Sequence, residues 1–210
     1  VARSWESEFD ALTPRLHLGR SKVVTDRPHS DGISNEVFDW VMENLPGVQK
    51  DLLVTNAYLI PGPEGVAMLD DLVTAGAEVT IHTNSLASQD VAAVNSHYKA
   101  WRKPILASGA SLFEARQDAA IKQSMVDTQP VSARYMGVHS KSLVMDRRFA
   151  VIGSANLDPR SAFLNSEMIA IIDSESLAEE LAQAILLDIS PANSWEVDLN
   201  DKNQIIWRND

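Results

Sequence analysis

One stretch constrains the fold more than any other: residues 137–173, GVHSKSLVMDRRFAVIGSANLDPRSAFLNSEMIAIID. It contains three short runs rich in β-branched and other apolar residues, which favour strands, and an arginine pair stands where a tight turn would join the first two. The runs are Val138–Met145, Phe149–Gly153 and Met168–Ile172. The stretch predicts strand, turn, strand, polar loop and strand.

The rest of the chain alternates between strand-like and helix-like segments. We predict strands at 21–25, 51–58, 78–83 and 111–114, the last with the character of an edge strand, and helices at 35–45, 64–75, 90–101 and 175–187. This rhythm predicts an α/β fold with a mixed, mostly parallel sheet flanked by helices on both faces.

A histidine and a lysine lie two residues apart in the first run. Because alternate side chains of a strand share a face, His139 and Lys141 should project together. Asp146 has the opposite parity and stands at the turn, so we expect it to anchor the structure rather than to react. A lone histidine is usually a plain surface or core residue, and the polar groups around this one make it a candidate catalyst.

Groups suited to binding a phosphate follow the second run. Gly153 lets the backbone approach a ligand closely, and the Ser154 hydroxyl and Asn156 amide can donate hydrogen bonds to phosphoryl oxygens. Lys141 would supply positive charge, and His139 can act as a nucleophile or as a general acid and base.

A carboxylate, Glu167, precedes the third apolar run. Burying it unpaired would be costly, and the imidazole N–H of His139 is its natural partner. Ligands of such sheets gather beyond the carboxyl ends of strands, so Tyr58, Asn84 and Ser85 are candidates for the rim of the site.

The chain has 29 acidic and 18 basic residues, and its net charge of −11 opposes binding to nucleic acid. Residues 134–166 nevertheless hold five basic side chains against two acidic ones, which suits a small phosphate-bearing substrate. Two of the five, Arg147 and Arg148, are expected to be solvated. The lack of cysteine excludes disulfides and thiolate metal sites, and no apolar run approaches the roughly 20 residues that span a bilayer.

The complete pattern is H-x-K-x4-D-x6-G-S-x-N followed by Asp158, Arg160, Ser161, Asn165 and Glu167. It resembles the phospholipase D superfamily, whose HKD signature His139, Lys141 and Asp146 match. GSANLDPRSAFLNSE is most similar to the second signature of bacterial cardiolipin synthases, and the blocks NAYLIPG at 56–62 and TNSLASQD at 83–90 extend the resemblance.

The resemblance implies a phospholipase D-like catalytic lobe over residues 21–210, with residues 1–20 as a linker or N-terminal extension. It implies a catalytic set of His139, Lys141, Asn156 and Glu167, with phosphate held by Lys141, Ser154 and Asn156. The structural positions of the motif are Asp146, Gly153, Asp158 and Arg160. Whether His139 is the nucleophile or the general acid and base stays open.

The implied activity is phosphatidyl transfer between phospholipids through a phosphohistidine intermediate, with phosphatidylglycerol-like substrates and without metal or cofactor. Such enzymes use two HKD motifs, and this chain has one. The other is expected in a missing N-terminal half or in a second copy that forms a homodimer. Because the chain begins at Val1 rather than at methionine, we expect a piece of a longer protein. The resemblance implies a cytoplasmic location with peripheral association to the inner membrane.

Two alternatives stay open at this point. One is phospholipase D-type hydrolysis of a phosphodiester in lipid or, less in keeping with the acidic charge, in nucleic acid. The other is an isolated lobe without activity of its own.

Overall fold

The computed structural model describes residues 5–29, 32–127 and 130–209. Its strands are β1 (Arg20–Thr25), β2 (Pro28–His29), β3 (Gly32–Ile33), β4 (Asp51–Asn56), β5 (Glu78–Asn84), β6 (Ser111–Ala115), β7 (Lys141–Met145), β8 (Phe149–Gly153), β9 (Met168–Asp173), β10 (Ser194–Leu199) and β11 (Ile205–Arg208). Its helices are α1 (Trp5–Leu12), α2 (Glu36–Asn44), α3 (Gly62–Thr74), α4 (Ala92–Tyr98), α5 (Arg102–Ala107), α6 (Lys122–Met125), α7 (Pro159–Phe163) and α8 (Glu175–Asp188).

Nine strands form one sheet in the order β1-β9-β8-β7-β4-β5-β6-β10-β11, and β2 pairs with β3 in a separate ribbon. Across the described ranges, only β4/β5 and β5/β6 are parallel neighbours in the large sheet, and the other six pairs are antiparallel. The prediction of a mixed sheet is confirmed. The prediction that the sheet is mostly parallel is wrong.

Chain connectivity explains this difference. Parallel pairing needs a long crossover, and helices supply one only from β4 to β5 and from β5 to β6. The turn after β7, the short α7 segment after β8 and the turn after β10 are short connections, which favour antiparallel neighbours. The βαβ rhythm of the sequence therefore describes only the middle of the chain.

Helices cover both faces of the sheet, as predicted. Leu52 and Val54 of β4 belong to one core and Leu53 to the other, because successive side chains of a strand point to opposite faces. The larger core includes residues of α2, α3 and α5, and α8 closes the smaller one with the fully buried Ala178 and Ala182. None of the helices in the described ranges combines the length and apolar composition needed to cross a bilayer.

The segment predicted as an edge strand, residues 111–114, lies inside the sheet. β6 pairs with β5 on one side and with β10 on the other, because the C-terminal hairpin adds two strands beyond it. β1 lies at the opposite edge and begins at Arg20. Residues 1–4 are outside the described ranges, and the division between 1–20 and 21–210 stays a prediction.

The turn between β7 and β8 is tied to the start of β4. Asp146 and Arg147 have φ angles of 53° and 54°, a left-handed conformation that aspartate tolerates better than most residues. The Asp146 Oδ1 atom accepts hydrogen bonds from the backbone N–H groups of Gln49, Lys50 and Asp51 at 3.1, 2.7 and 3.3 Å. Asp146 thus has the anchoring geometry that its parity predicts.

The two arginines of this turn are ion-paired, while Arg147 stays partly exposed and Arg148 exposed to solvent, so the prediction that they are solvated holds but missed their carboxylate partners. Arg147 pairs with Asp51 and, at 3.5 Å, with Glu179. The Arg148 Nε atom donates a hydrogen bond to Asp173 at 3.0 Å. The turn carries both guanidinium groups over carboxylates of neighbouring elements, a relation that local sequence does not reveal.

Candidate active site

Four chain segments meet at one end of the central strands, and we call this end of the sheet the site edge. The carboxyl ends of β4 and β5 lie there because these strands are parallel, and the start of β7 and the end of β8 join them because β7 is antiparallel to both β4 and β8. The site edge carries Tyr58 after β4, Asn84 at the end of β5, Lys141 at the start of β7 and Asn156 after β8.

His139 lies in the segment before β7 rather than in the strand, which begins at Lys141. The His139 side chain is exposed, and its ring makes no hydrogen bond to any described residue. The Lys141 Nζ atom donates a hydrogen bond to the His139 carbonyl at 2.7 Å and lies 5.9 Å from the centre of the Tyr58 ring. The imidazole and the ammonium group therefore both lie at the site edge, although not through strand alternation.

Three carboxylates act on the half-buried Lys141 through their charge. Burial lowers the pKa of Lys141, and the negative charges of Asp90, Glu167 and Asp158 oppose this shift without cancelling it. The ammonium group is thus partly desolvated, and an anion that binds next to it would compensate for part of the lost solvation.

The side-chain amide of Asn84 makes four hydrogen bonds, two of which fix the backbone of Val138, the residue before His139. Its Nδ2 atom donates to the carbonyls of Val138 and Ala57 at 2.8 and 3.1 Å, and its Oδ1 atom accepts from the Val138 N–H and the Ser88 hydroxyl at 2.8 and 3.0 Å. Asn84 is 1% exposed.

The predicted rim position of Asn84 and Ser85 is therefore wrong, because both side chains turn inward. Ser85 is buried and bonds to Ser88 within the same loop. Tyr58 is half-buried at the site edge, and its hydroxyl donates a hydrogen bond to Asp90, with both carboxylate oxygens at 3.1 Å.

The loop after β8 is fixed by Asn56, the last residue of β4. The Asn56 Nδ2 atom donates to the Ala155 carbonyl at 3.3 Å, and its Oδ1 atom accepts from the N–H groups of Tyr58 and Leu157 at 3.3 and 3.1 Å. Between these two anchored residues lies Asn156, whose Oδ1 atom is buried without a hydrogen-bond partner in the described residues. Sequence reasoning did not assign a role to Asn56, although it opens the NAYLIPG block.

Glu167 is 7% exposed and accepts three hydrogen bonds: from the Ser154 hydroxyl at 2.5 Å, the Ser161 hydroxyl at 2.8 Å and the Asn165 Nδ2 atom at 3.0 Å. The predicted partner, the His139 imidazole, is not among the donors, because His139 lies outside the strand and residues of the polar loop reach the carboxylate instead. Burial raises the pKa of Glu167, but these bonds and the charge of Lys141 outweigh it, so the pKa lies below its ordinary value.

This arrangement also corrects the role of Ser154. Its hydroxyl has one proton, which it donates to Glu167, while its oxygen accepts the Met168 N–H at 3.0 Å. The hydroxyl is therefore not free to donate to a phosphate. Gly153 admits no larger residue, since a Cβ atom there would lie 2.2 Å from the Met168 carbonyl oxygen.

The remaining motif residues organise the polar loop. The Asp158 side chain accepts the Ser161 N–H at 2.8 Å and so caps α7. The Arg160 Nε atom lies 3.4 Å from the Asn165 side-chain oxygen. Asp26, which sequence reasoning missed, accepts the Glu167 N–H at 3.0 Å and the Val37 N–H at 2.9 Å, so it joins this loop to α2.

The described side chains include no group of three or more histidine, aspartate or glutamate residues placed to hold a metal ion.

A family profile described as "Cardiolipin synthase, PLD-like domain" matches residues 41–187. The chain belongs to the phospholipase D superfamily. The resemblance drawn from the HKD pattern is thereby confirmed.

Among other members of the superfamily, cardiolipin synthase C of Escherichia coli is 34% identical to this chain over 154 residues, which is 73% of the chain and 32% of the relative. The chain spans about a third of the length of the curated relatives it matches.

Two of the solved structures that match this chain illustrate the likeness of the fold. Nuc from Salmonella typhimurium, a phospholipase D family member, has a TM-score of 0.58 at 18% identity, with coverage of 84% of this chain and 97% of its own. Phosphatidylserine synthase from Haemophilus influenzae has a TM-score of 0.58 at 16% identity, with coverage of 81% and 38%. At these identities the likeness concerns the fold.

Proposed function

We propose that this chain is one catalytic half-site of a phosphatidyl transferase that makes cardiolipin-like lipids. The observation that carries the proposal is the arrangement at the site edge. The exposed imidazole of His139, the partly desolvated ammonium group of Lys141 and the amide of Asn156 in a fixed loop lie at the same end of the central strands. The similarity to cardiolipin synthase C supports a phospholipid substrate.

The proposed reaction proceeds in two displacements at phosphorus. A histidine nitrogen attacks, a P–N bond forms and the P–O bond to the departing alcohol breaks, while a second imidazole gives that oxygen its proton. The acceptor hydroxyl then attacks, its proton passes to the second imidazole, and the P–N bond breaks. Lys141 and the Asn156 amide hold the non-bridging oxygens as charge develops on them.

This scheme needs two imidazoles at one phosphate, and the HKD pattern of this chain supplies one. We therefore propose that the second comes from another HKD lobe, either in the same polypeptide or in a second copy. The relatives are more than twice as long as the chain, since 154 residues make up 32% of one and 166 residues make up 31% of another, and this length favours the same polypeptide. A lipid substrate also leads us to propose peripheral association with the cytoplasmic face of the inner membrane.

Lipid analysis tests the activity. The complete protein that contains this chain, and its His139→Ala variant, would be expressed in cells that lack other cardiolipin synthases. We expect cardiolipin with the first and none with the second. Phosphatidic acid in place of cardiolipin would indicate a hydrolase, and neither product from intact protein at the membrane would overturn the proposal.

The half-site claim has its own test. The purified 210-residue chain would be assayed for phosphatidylglycerol turnover while its mass is followed by light scattering. We expect no turnover from a monomer. Turnover by a confirmed monomer would show that one motif suffices.

A further inference from the structure

Tyr58 and Asp90 form a polar pair beside Lys141 that the reaction described above does not use. The Tyr58 hydroxyl donates to Asp90, with both carboxylate oxygens at 3.1 Å, and the Tyr58 ring lies 5.9 Å from the Lys141 Nζ atom. Burial raises the pKa of Tyr58, and Asp90 raises it further, so the phenol keeps its proton and remains a donor.

Hydrogen bonds hold the backbone at Tyr58 and the loop that leads to Asp90. Asn56 accepts the Tyr58 N–H, and the next residue, Leu59, forms a parallel bridge to Leu157 in the loop after β8. Asp90 follows the loop that Asn84 and Ser88 hold together. The pair is thus fixed to the same two segments that position Asn156 and His139.

Asp90 has acceptor capacity that the described chain does not consume. Of the three carboxylates that act on Lys141, Glu167 is buried with three donors and Asp158 caps α7, whereas Asp90 is exposed. Its side-chain bonds are the one from Tyr58 and a long one of 3.4 Å from Gln89. A carboxylate offers about four lone-pair sites, so more than one remains for a ligand.

The chemistry of the pair selects the ligand. A carboxylate this near the phosphate-binding lysine would repel a second anion and must face a hydrogen-bond donor. An ammonium head group could also satisfy a carboxylate and an aromatic ring, but it would compete with the Lys141 ammonium group, which already lies 5.9 Å from the centre of the Tyr58 ring. A neutral polyol is compatible with Asp90, Tyr58 and Lys141 together, because its hydroxyls can donate to Asp90 and it carries no charge.

We propose that Asp90 and Tyr58 form the subsite for the hydroxyl groups of a glycerol-like acceptor, and that they bias the reaction toward transfer over hydrolysis. This inference rests on the proposed function. At the second displacement, the acceptor oxygen forms the new P–O bond as the P–N bond breaks, and its proton passes to the second imidazole. Asp90 and Tyr58 orient that acceptor through its other hydroxyls.

The test is a partition measurement on the complete protein with phosphatidylglycerol vesicles and isotopically labelled glycerol. Label entering lipid reports transfer, and phosphatidic acid reports hydrolysis. For Asp90→Asn we expect the transfer-to-hydrolysis ratio to fall at least about tenfold, with a matching rise in the KM for glycerol, as expected when one hydrogen bond to a charged group is lost. Tyr58→Phe should lower the ratio less, because the carboxylate remains.

Asp70→Asn, an exposed carboxylate of α3, is the matched control and should leave the ratio unchanged. Ethanolamine, offered in place of glycerol, should be a poor acceptor for the unaltered protein. A ratio that stays constant in Asp90→Asn while the unaltered protein transfers phosphatidyl groups would overturn this inference and leave the proposed function standing. Absence of transfer in the unaltered protein would instead overturn the proposed function.

Discussion

At one end of the β7–β8 hairpin, Asp146 accepts three backbone N–H groups and the adjacent arginines pair with carboxylates of β4, β9 and α8. At the other end, the His139 ring is exposed and the Asn156 Oδ1 atom has no partner within the described chain. Both ends carry residues of one signature. The comparison indicates that the HKD pattern combines an anchor, whose polar groups are paired, with a candidate reactive end, where the His139 ring and the Asn156 Oδ1 atom have no partner within the described chain.

The largest effect is expected at the reactive end, from a change at His139. His139→Ala in the complete protein should lower phosphatidylglycerol turnover by at least about a thousandfold, because positioned acid–base or nucleophilic groups contribute on that order. Its melting temperature should not change, since the ring is exposed. His97→Ala, an exposed histidine of α4, is the control and should retain full turnover. Retained turnover in the His139 variant would remove its assigned role.

Glu167 lies beneath the reactive end but is paired as fully as the anchor. In Glu167→Gln the amide NH₂ group would face hydroxyl and amide donors, so we expect a loss of about 2–3 kcal/mol in the free energy of unfolding together with reduced turnover. Glu43→Gln, on the exposed side of α2, is the control. Urea unfolding of both variants measures the loss. Equal stability of the two would show that the three hydrogen bonds contribute nothing.

The same residue predicts a dependence on pH. Because the pKa of Glu167 lies below its ordinary value in the folded protein, the ionised carboxylate stabilises the fold fully above that ordinary value. The stabilisation is lost as the pH falls through the folded-state pKa. The difference between the unaltered protein and Glu167→Gln should therefore shrink below about pH 4.

At the anchored end we expect stability to change more than rate. Asp146→Asn keeps one acceptor oxygen but removes the charge, and it should cost about 1–2 kcal/mol of unfolding free energy. Turnover per folded molecule should fall far less than in His139→Ala. Asp71→Asn, an exposed residue of α3, controls for the loss of one negative charge. A loss of turnover as large as that of His139→Ala, without a loss of stability, would place Asp146 in the chemistry.

The smallest effect is expected at Asp173. Arg148 first, and then Arg20, lower the pKa of Asp173 to about 2. The pairing therefore stabilises the fold above the ordinary pKa of aspartate and loses this contribution as the pH falls from about 4 to about 2. Urea midpoints of the unaltered protein and Asp173→Asn should converge across that window. A constant difference would show that the pair is not formed in solution.

Much of this architecture could be predicted from sequence because it depends on local periodicity. The three apolar runs of residues 137–173 became β7, β8 and β9, and the amphipathic pattern of 175–187 became α8. The parallel character of the sheet was overestimated because pairing direction depends on which strands become neighbours, and β7 pairs with β4 across about 90 residues of chain.

Candidate reactive groups could also be named from sequence, but their partners could not. The residue pattern and its resemblance to the HKD signature named His139, Lys141 and Asn156 as candidates, whereas the donors to Glu167 depend on how the polar loop folds back from α7. Asn84 shows the same limit. Its position at the end of a strand suggested exposure, but its amide satisfies the backbone of residues 57 and 138, which are distant in sequence.

The two hydrogen bonds between the Asn84 side chain and the Val138 backbone have an evolutionary consequence. The loop that begins at Asn84 runs on to Asp90, so a change that reshapes this loop for a new acceptor also shifts the peptide that presents the imidazole. Substitutions at the two places should be epistatic. Relatives that change their head-group range through this loop would then need compensating changes next to His139. We therefore expect residues of the loop and residues next to His139 to vary together among relatives.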